Sequence, residues 1–368
     1  MEKEAARFFA TGTSAQQAAL KALTSGARPA VGAKPVICVH PTSHLVFLDC
    51  LRDAATQEKE FETCAKLTLP DFDVRTFGKM SEQPQLYQIN NAIDEHKPDV
   101  IVIELPQRMN GGNVISLKHL QQVSERCRAE GILLHCDGAR LWEVQPYYAI
   151  PIAELAALFD SVYISFYKGM GAIAGAMLIG SSSFISSACV WQKRTGGDIH
   201  KRGPMALSCE VQFRQLISSE IPFLDLFKKL KAMVKLINGL IDETTEEGEE
   251  AAVRFDPPMP TSTMVHCYVK GTAASLNNAQ EAAKEKTGVQ LWNSLRGQGY
   301  GDPGWCYFEW SMGPGNMDVA LEDVERGWRQ FLEGRKALVA NLVERKQFLS
   351  PEQKPHRVVA KHAYNTDI

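Results

Sequence analysis

SVYISFYKGMGAIAGAMLIG, residues 161–180, is an apolar, strand-like run ending in Ser165, Phe166 and Tyr167, followed by Lys168, by glycines at 169 and 171, and by a second apolar run. An ammonium among apolar side chains loses its hydration, which is costly. The same desolvation lowers the amine's pKa and makes it a nucleophile toward a carbonyl carbon, the chemistry of a Schiff base. The plainer alternative sets Lys168 on an exposed turn that the glycines merely punctuate. The stretch upstream bears on the choice.

That stretch is GILLHCDGARLWE, residues 131–143. Ile132 to Cys136 reads as a short buried strand with Asp137 at its carboxyl end. Gly138 and Ala139 are small enough to let something flat approach the backbone. In open α/β sheets ligands bind outside the carboxyl ends of the strands. An acid at one strand end, and a lysine at another about thirty residues later, are what pyridoxal 5′-phosphate requires: a partner for the pyridine nitrogen and an imine-forming amine. A solvated aspartate at a strand end is the competing reading.

H-x-D-G-A-R followed by S-x-x-K-G-x-G resembles the threonine aldolase/β-eliminating lyase family of fold-type I pyridoxal-phosphate enzymes. The fuller string, ELPQRMNGG at 104–112, HCDGARLWE at 135–143 and SFYKGMGAIAG at 165–175, is similar to one bacterial and fungal branch of that family. The resemblance runs to about Val343, nearly the whole chain. It implies an α/β fold of the aspartate aminotransferase type. Residues 1–220 would form a large domain with a mainly parallel sheet, 221–349 a small α+β domain, and 350–368 a loose tail.

The resemblance also implies roles. Lys168 would form the Schiff base and Asp137 would pair with the pyridinium nitrogen. His44 would stack on the ring, with Asp49 where the family has a glutamate. Gly12 and Thr13 would hold the phosphate, Thr11 standing where a serine is usual. Arg140 would bind the substrate carboxylate or order the cofactor's surroundings. The loop 191–205 would approach a neighbouring subunit's phosphate through Arg194, His200 or Arg202, unless it is simply a solvated basic loop. A homodimer or homotetramer is expected. Family members carry an N-terminal arm upstream of the phosphate turn; this sequence begins almost at the turn, so the arm is expected to be missing.

Two departures matter for the reaction. The common E-x-T-H-N pattern is replaced by ELPQR, which offers Arg108 as a second guanidinium for a carboxylate, or as a surface arginine. The strand Tyr307–Ser311 lacks the arginine that main-branch aldolases carry there. The implied reaction is cleavage of a threonine-like β-hydroxy-α-amino acid to glycine and an aldehyde. A β-elimination on the same scaffold, or a chain that keeps the fold without catalysis, are the alternatives.

Composition narrows the rest. The 368 residues are 45% hydrophobic and 23% charged with a net charge of −3, an ordinary globular balance that argues against nucleic-acid and membrane-surface roles. The partner is expected to be a small amino-acid substrate. Nine scattered cysteines without a C-x-x-C spacing read as reduced thiols. No signal peptide and no membrane-length apolar run is visible, so a cytoplasmic location is expected.

Patterns place further elements. Residues 5–23 read as strand, tight turn and helix, the helix start offering N–H groups to an anion. Val36–Val39 and Val100–Ile103 read as strands, the latter ending in Glu104. Leu117, Leu120, Val123 and Cys127 fall at helical spacing. Pro222 to Ile241 reads as a long amphipathic helix. Residues 51–66 look helical, and 70–88 carry no readable chemistry. His40 and His266 read as structural.

Overall fold

The computed structural model describes residues 1–26, 33–47, 69–219, 221–246, 248–297 and 304–348. The stretch 51–66, Asp49 and the tail 350–368 lie outside the described residues.

Seven strands form the main sheet: β1 Ala5–Phe9, β2 Val36–Val39, β3 Asp73–Thr76, β4 Val100–Glu104, β5 Leu133–Gly138, β6 Ser161–Ser165 and β7 Ala176–Gly180, in the order β1-β7-β6-β5-β4-β2-β3. From β3 through β2, β4 and β5 to β6 the pairing is parallel; β7 runs antiparallel to both β6 and β1. The expected mainly parallel α/β sheet is what the chain forms. Its central strands read as apolar runs because helices cover both faces. Along β4, Ile101 and Ile103 point into one core with Ile89, Leu120 and Val123, while Val100 and Val102 point into another with Leu20. The second face also holds Phe9, Ala18, Tyr163 and Phe184, from β1, the helix Gly12–Leu23, β6 and the helix Ser182–Arg194.

A second, antiparallel sheet has the order β10-β9-β8, from β8 Val253–Asp256, β9 Met264–Lys270 and β10 Trp305–Ser311. Helices Leu224–Thr244, Ala273–Thr287 and Leu321–Phe348 cover one of its faces, where Leu230, Val234, Leu276, Trp328 and Phe331 meet Val265, Cys267 and Phe308. We propose that the domains divide at 220/221, between the helices Gly203–Leu216 and Leu224–Thr244.

Three details depart from the sequence reading or add to it. The long helix starts at Leu224 rather than Pro222, because Phe223 takes a left-handed conformation at φ 64°. The basic segment is not one loop: residues up to Arg194 close the helix Ser182–Arg194, and the next helix begins at Gly203. There Arg194 lies over the Trp191 ring and Arg202 pairs with Asp198. The segment 70–88 holds β3, an edge strand whose polar sequence DVRT hides it. Among the described residues no helix is long and apolar enough to cross a membrane. The seven described cysteines are unpaired, and burial pushes the thiols of Cys38 and Cys127 up to about 12.

Candidate active site

Parallel register sets Glu104 of β4, Asp137 of β5 and Tyr163 of β6 in one row across the carboxyl end of the sheet. Side chains alternate along a strand, so all three share the face covered by the helix Gly12–Leu23. Asp137 is 2% exposed and accepts the Ala139 N–H at 3.3 Å. Two neighbouring buried carboxylates cannot both ionise cheaply. Burial and then Asp137 push Glu104 up to about 8, against the pull of Lys168. Glu104 is thus held well above the usual carboxylate range, and it accepts the backbone N–H groups of Arg108 and His44.

Lys168 follows β6 in a turn closed by Gly171 N to Lys168 O at 3.0 Å and Ala172 N to Phe166 O at 2.9 Å. It is half-buried rather than enclosed between apolar runs, with Nζ 6.0 Å from the centre of the Tyr167 ring. Gly169 has a steric reason: a Cβ there would come within 2.9 Å of the Glu143 Cδ. His44 opens the short turn His44–Phe47 after β2. Burial, then the charges of Lys168 and Arg108, hold its imidazole at about 4, so it is neutral at neutral pH.

At the first helix, Thr11 is the N-cap and its hydroxyl accepts the Ser14 N–H at 3.3 Å. Gly12 is buried, Thr13 exposed. A Cβ on Gly12 would strike the Tyr163 hydroxyl and come within 3.0 Å of that of Tyr167, so both phenols lie under the helix N-terminus. Burial, Asp137 and Tyr167 all raise the Tyr163 hydroxyl's pKa, leaving it a donor. The helix is fastened to the sheet by His135, whose ring bonds Gln16 Oε1 at 2.8 Å and Ser161 Oγ at 2.7 Å.

Both candidate arginines are held by acids. Arg140 Nη1 donates to Glu143 Oε1 at 2.9 Å, and Glu143 Oε2 accepts the Thr263 hydroxyl at 2.5 Å. Arg108 is not a free surface arginine: it pairs with Glu309 of β10. His40 is structural as expected, its ring bonded to Thr42 Oγ1 at 2.8 Å and Glu82 O at 3.1 Å.

The structure thus brings Lys168, Asp137 and His44 to the carboxyl ends of β6, β5 and β2, beside a helix N-terminus formed by Gly12 and Thr13. Sequence reasoning missed Glu104, Tyr163, Tyr167, His135, Glu143 and Glu309 as members of this neighbourhood. Glu143 had a signal, as a lone charge in LWEVQPYY, whose helix is buried almost throughout. Glu104 had another, since it ends its strand as Asp137 does.

The buried histidines make stability pH-dependent. Burial keeps His40 and His44 at about 4 and His135 at about 3, whereas unfolding returns each toward 6.5. Between pH 6.5 and 4.5 these three take up protons only on unfolding, which favours the unfolded chain as pH falls. Glu104 has the opposite sign, because only its folded form holds a proton up to about 8. Three outweigh one. Cofactor-free protein is expected to lose on the order of 3 kcal/mol between pH 6.5 and 4.5, read from urea midpoints; a flat profile would mean that the imidazoles are solvated.

The donor set suits pyridoxal phosphate. Ser14 Oγ at the helix start, Ser43 Oγ beside His44 and Glu104 Oε2 beside Asp137 are buried without hydrogen-bond partners among the described residues. Buried polar atoms are rarely left so, and these line the same end of the sheet. Lysine, acid, imidazole and helix N-terminus meet at the carboxyl end of this sheet, and the fold is that of the fold-type I pyridoxal-phosphate enzymes. A Toxoplasma gondii ornithine aminotransferase, itself holding PLP at partial occupancy, shares the fold: TM-score 0.61, 15% identity, 94% of this chain and 74% of that one.

Residues 1–294 match the family model for beta-eliminating lyases, and the chain belongs to that family. It is 37% identical over 198 residues to the low-specificity L-threonine aldolase of Candida albicans, covering 54% of this chain and 49% of that one. The match to such relatives thus spans no more than about half of their length. A Listeria monocytogenes structure, provisionally named an L-allo-threonine aldolase, superposes with a TM-score of 0.74 at 30% identity, over 90% of this chain and 82% of that one.

Proposed function

We propose that this chain cleaves a threonine-like β-hydroxy-α-amino acid to glycine and an aldehyde, using pyridoxal 5′-phosphate held at Lys168. What supports this reading is the convergence of a half-buried lysine, a buried carboxylate and a neutral imidazole at neighbouring strand ends. When bound, the cofactor supplies the electron sink for the carbanion left as the Cα–Cβ bond breaks. Lys168 would hold the cofactor through its side-chain amine, and Asp137 would keep the ring nitrogen protonated. The N–H groups of Gly12 and Thr13, with the Tyr163 and Tyr167 hydroxyls, hold the phosphate. His44, neutral at working pH, would stack on the ring and could accept the β-hydroxyl proton. Arg140 and Arg108 hold the α-carboxylate. The same reading makes the working form a cytoplasmic homodimer or homotetramer.

Product analysis is the test. PLP-loaded protein given L-threonine or L-allo-threonine is expected to release glycine and acetaldehyde in equal amounts. A keto acid and ammonia in their place would show elimination and sink the aldolase reading.

A further inference from the structure

Arg108 enters the site already held from the second sheet. Its Nε donates to Glu309 Oε2 at 2.8 Å and its Nη2 to Glu309 Oε1 at 3.3 Å. The loop that carries it rests on the same sheet by its backbone. Ser262 Oγ donates to Gly112 O at 2.8 Å, and a Cβ on Gly112 would meet that hydroxyl at 2.5 Å. Behind Glu309 stands its cross-strand partner His266, 1% exposed, with Nε2 at 3.9 Å from Glu309 Oε2. Burial would raise the Glu309 carboxyl, but His266 and Arg108 outweigh it and bring it down to about 2. Glu309 is an anion at any working pH.

A guanidinium can meet a carboxylate along its Nε/Nη2 edge or its Nη1/Nη2 edge. Glu309 takes the first. No described residue accepts from Nη1, so the second stays open. Arg140 is arranged the other way: its Nη1 is spent on Glu143. Arg108 also lies near enough to His44 to act on its imidazole.

We propose that Glu309 is a positioning residue for substrate recognition: it fixes Arg108 so that the open Nη1/Nη2 edge receives the α-carboxylate of the amino acid. Carboxylate recognition then depends on both sheets. This rests on the site's being an amino-acid site.

The test is ligand binding to PLP-loaded protein, read from the cofactor's visible spectrum, with glycine and with ethylamine, which has the amine and no carboxylate. Arg108→Ala is expected to weaken glycine about 100-fold and ethylamine hardly at all. Glu309→Gln, which keeps the shape but removes the charge, is expected to weaken glycine about tenfold. The double variant should bind glycine as Arg108→Ala alone does, because Glu309 acts only through Arg108. Arg108→Lys keeps the charge but not the fork, and should behave like Arg108→Ala rather than wild type. PLP affinity and melting temperature report whether each variant is folded. Unchanged glycine affinity in folded Arg108→Ala, equal losses for both ligands, or additive losses in the double variant would each overturn the proposal. Glycine binding needs no bond cleavage. A wild type that binds glycine with these dependences but does not cleave threonine therefore defeats the aldolase reading and leaves this one standing.

Discussion

Lys168→Ala is expected to remove covalent attachment of the cofactor and to cut turnover by at least about 10³-fold. The chain should still fold. Lys168 is half-buried in a turn closed by backbone hydrogen bonds, and alanine keeps all of them. Borohydride treatment with PLP present, followed by peptide mass analysis, is the measurement. Wild type should carry a phosphopyridoxyl group on the peptide containing Lys168, and the variant none. A modified lysine elsewhere in wild type would move the assignment. The substitution also removes a charge that lowers both Glu104 and His44, so both should titrate higher in the variant.

Asp137→Asn is expected to cost about 10³-fold in turnover without costing fold stability. The asparagine has the same shape and can still accept the Ala139 N–H. It cannot hold a proton on a ring nitrogen, which is what a buried carboxylate at a strand end supplies. Its neutrality also relieves the second acid of the row, because Asp137 is one reason Glu104 is pushed up. Cofactor-free Asp137→Asn should therefore melt no lower than wild type, while its turnover collapses. Such a split, function lost and stability kept, is what a strained polar site produces. A variant that loses several degrees of melting temperature would make Asp137 a structural residue.

Much of this was legible in the sequence, for identifiable reasons. β4, β5 and β6 are buried on both faces, so each reads as an apolar run with its chemistry at the end: Glu104, Asp137 and, just beyond β6, Lys168. The helix Gly12–Leu23 announces itself through Thr11 and its alanine-rich face. β3 was hidden because an edge strand needs no apolar run. The partners of the arginines were hidden for another reason. Arg140 meets Glu143 one turn away, but Arg108 meets an acid 201 residues along the chain, and Thr263 reaches Glu143 across 120. Spacing rules see the first kind of neighbour only. Nothing in the sequence marks Tyr163 and Tyr167, because their hydroxyls meet the backbone of Gly12, which lies about 150 residues away along the chain. His135 was part of the quoted motif without a role, which became apparent only with Gln16 on the facing helix.

Among the described residues β1 has a single strand neighbour, β7, and the two pair from Ala5↔Gly180 to Phe9↔Ala176. On a ribosome β1 must therefore wait for a strand made about 170 residues later. At the usual pace of synthesis, about 170 residues take roughly 10–30 s, and for that time β1 has no edge to join. The helix that begins at Gly12 follows that strand and packs on β6 and β7, so its N-terminus cannot be seated before Lys168 has also been made. On the proposed reading, a nascent chain thus has no half-built pocket in which to trap a reactive aldehyde: the turn that would hold the phosphate and the lysine that would hold the aldehyde come into being together.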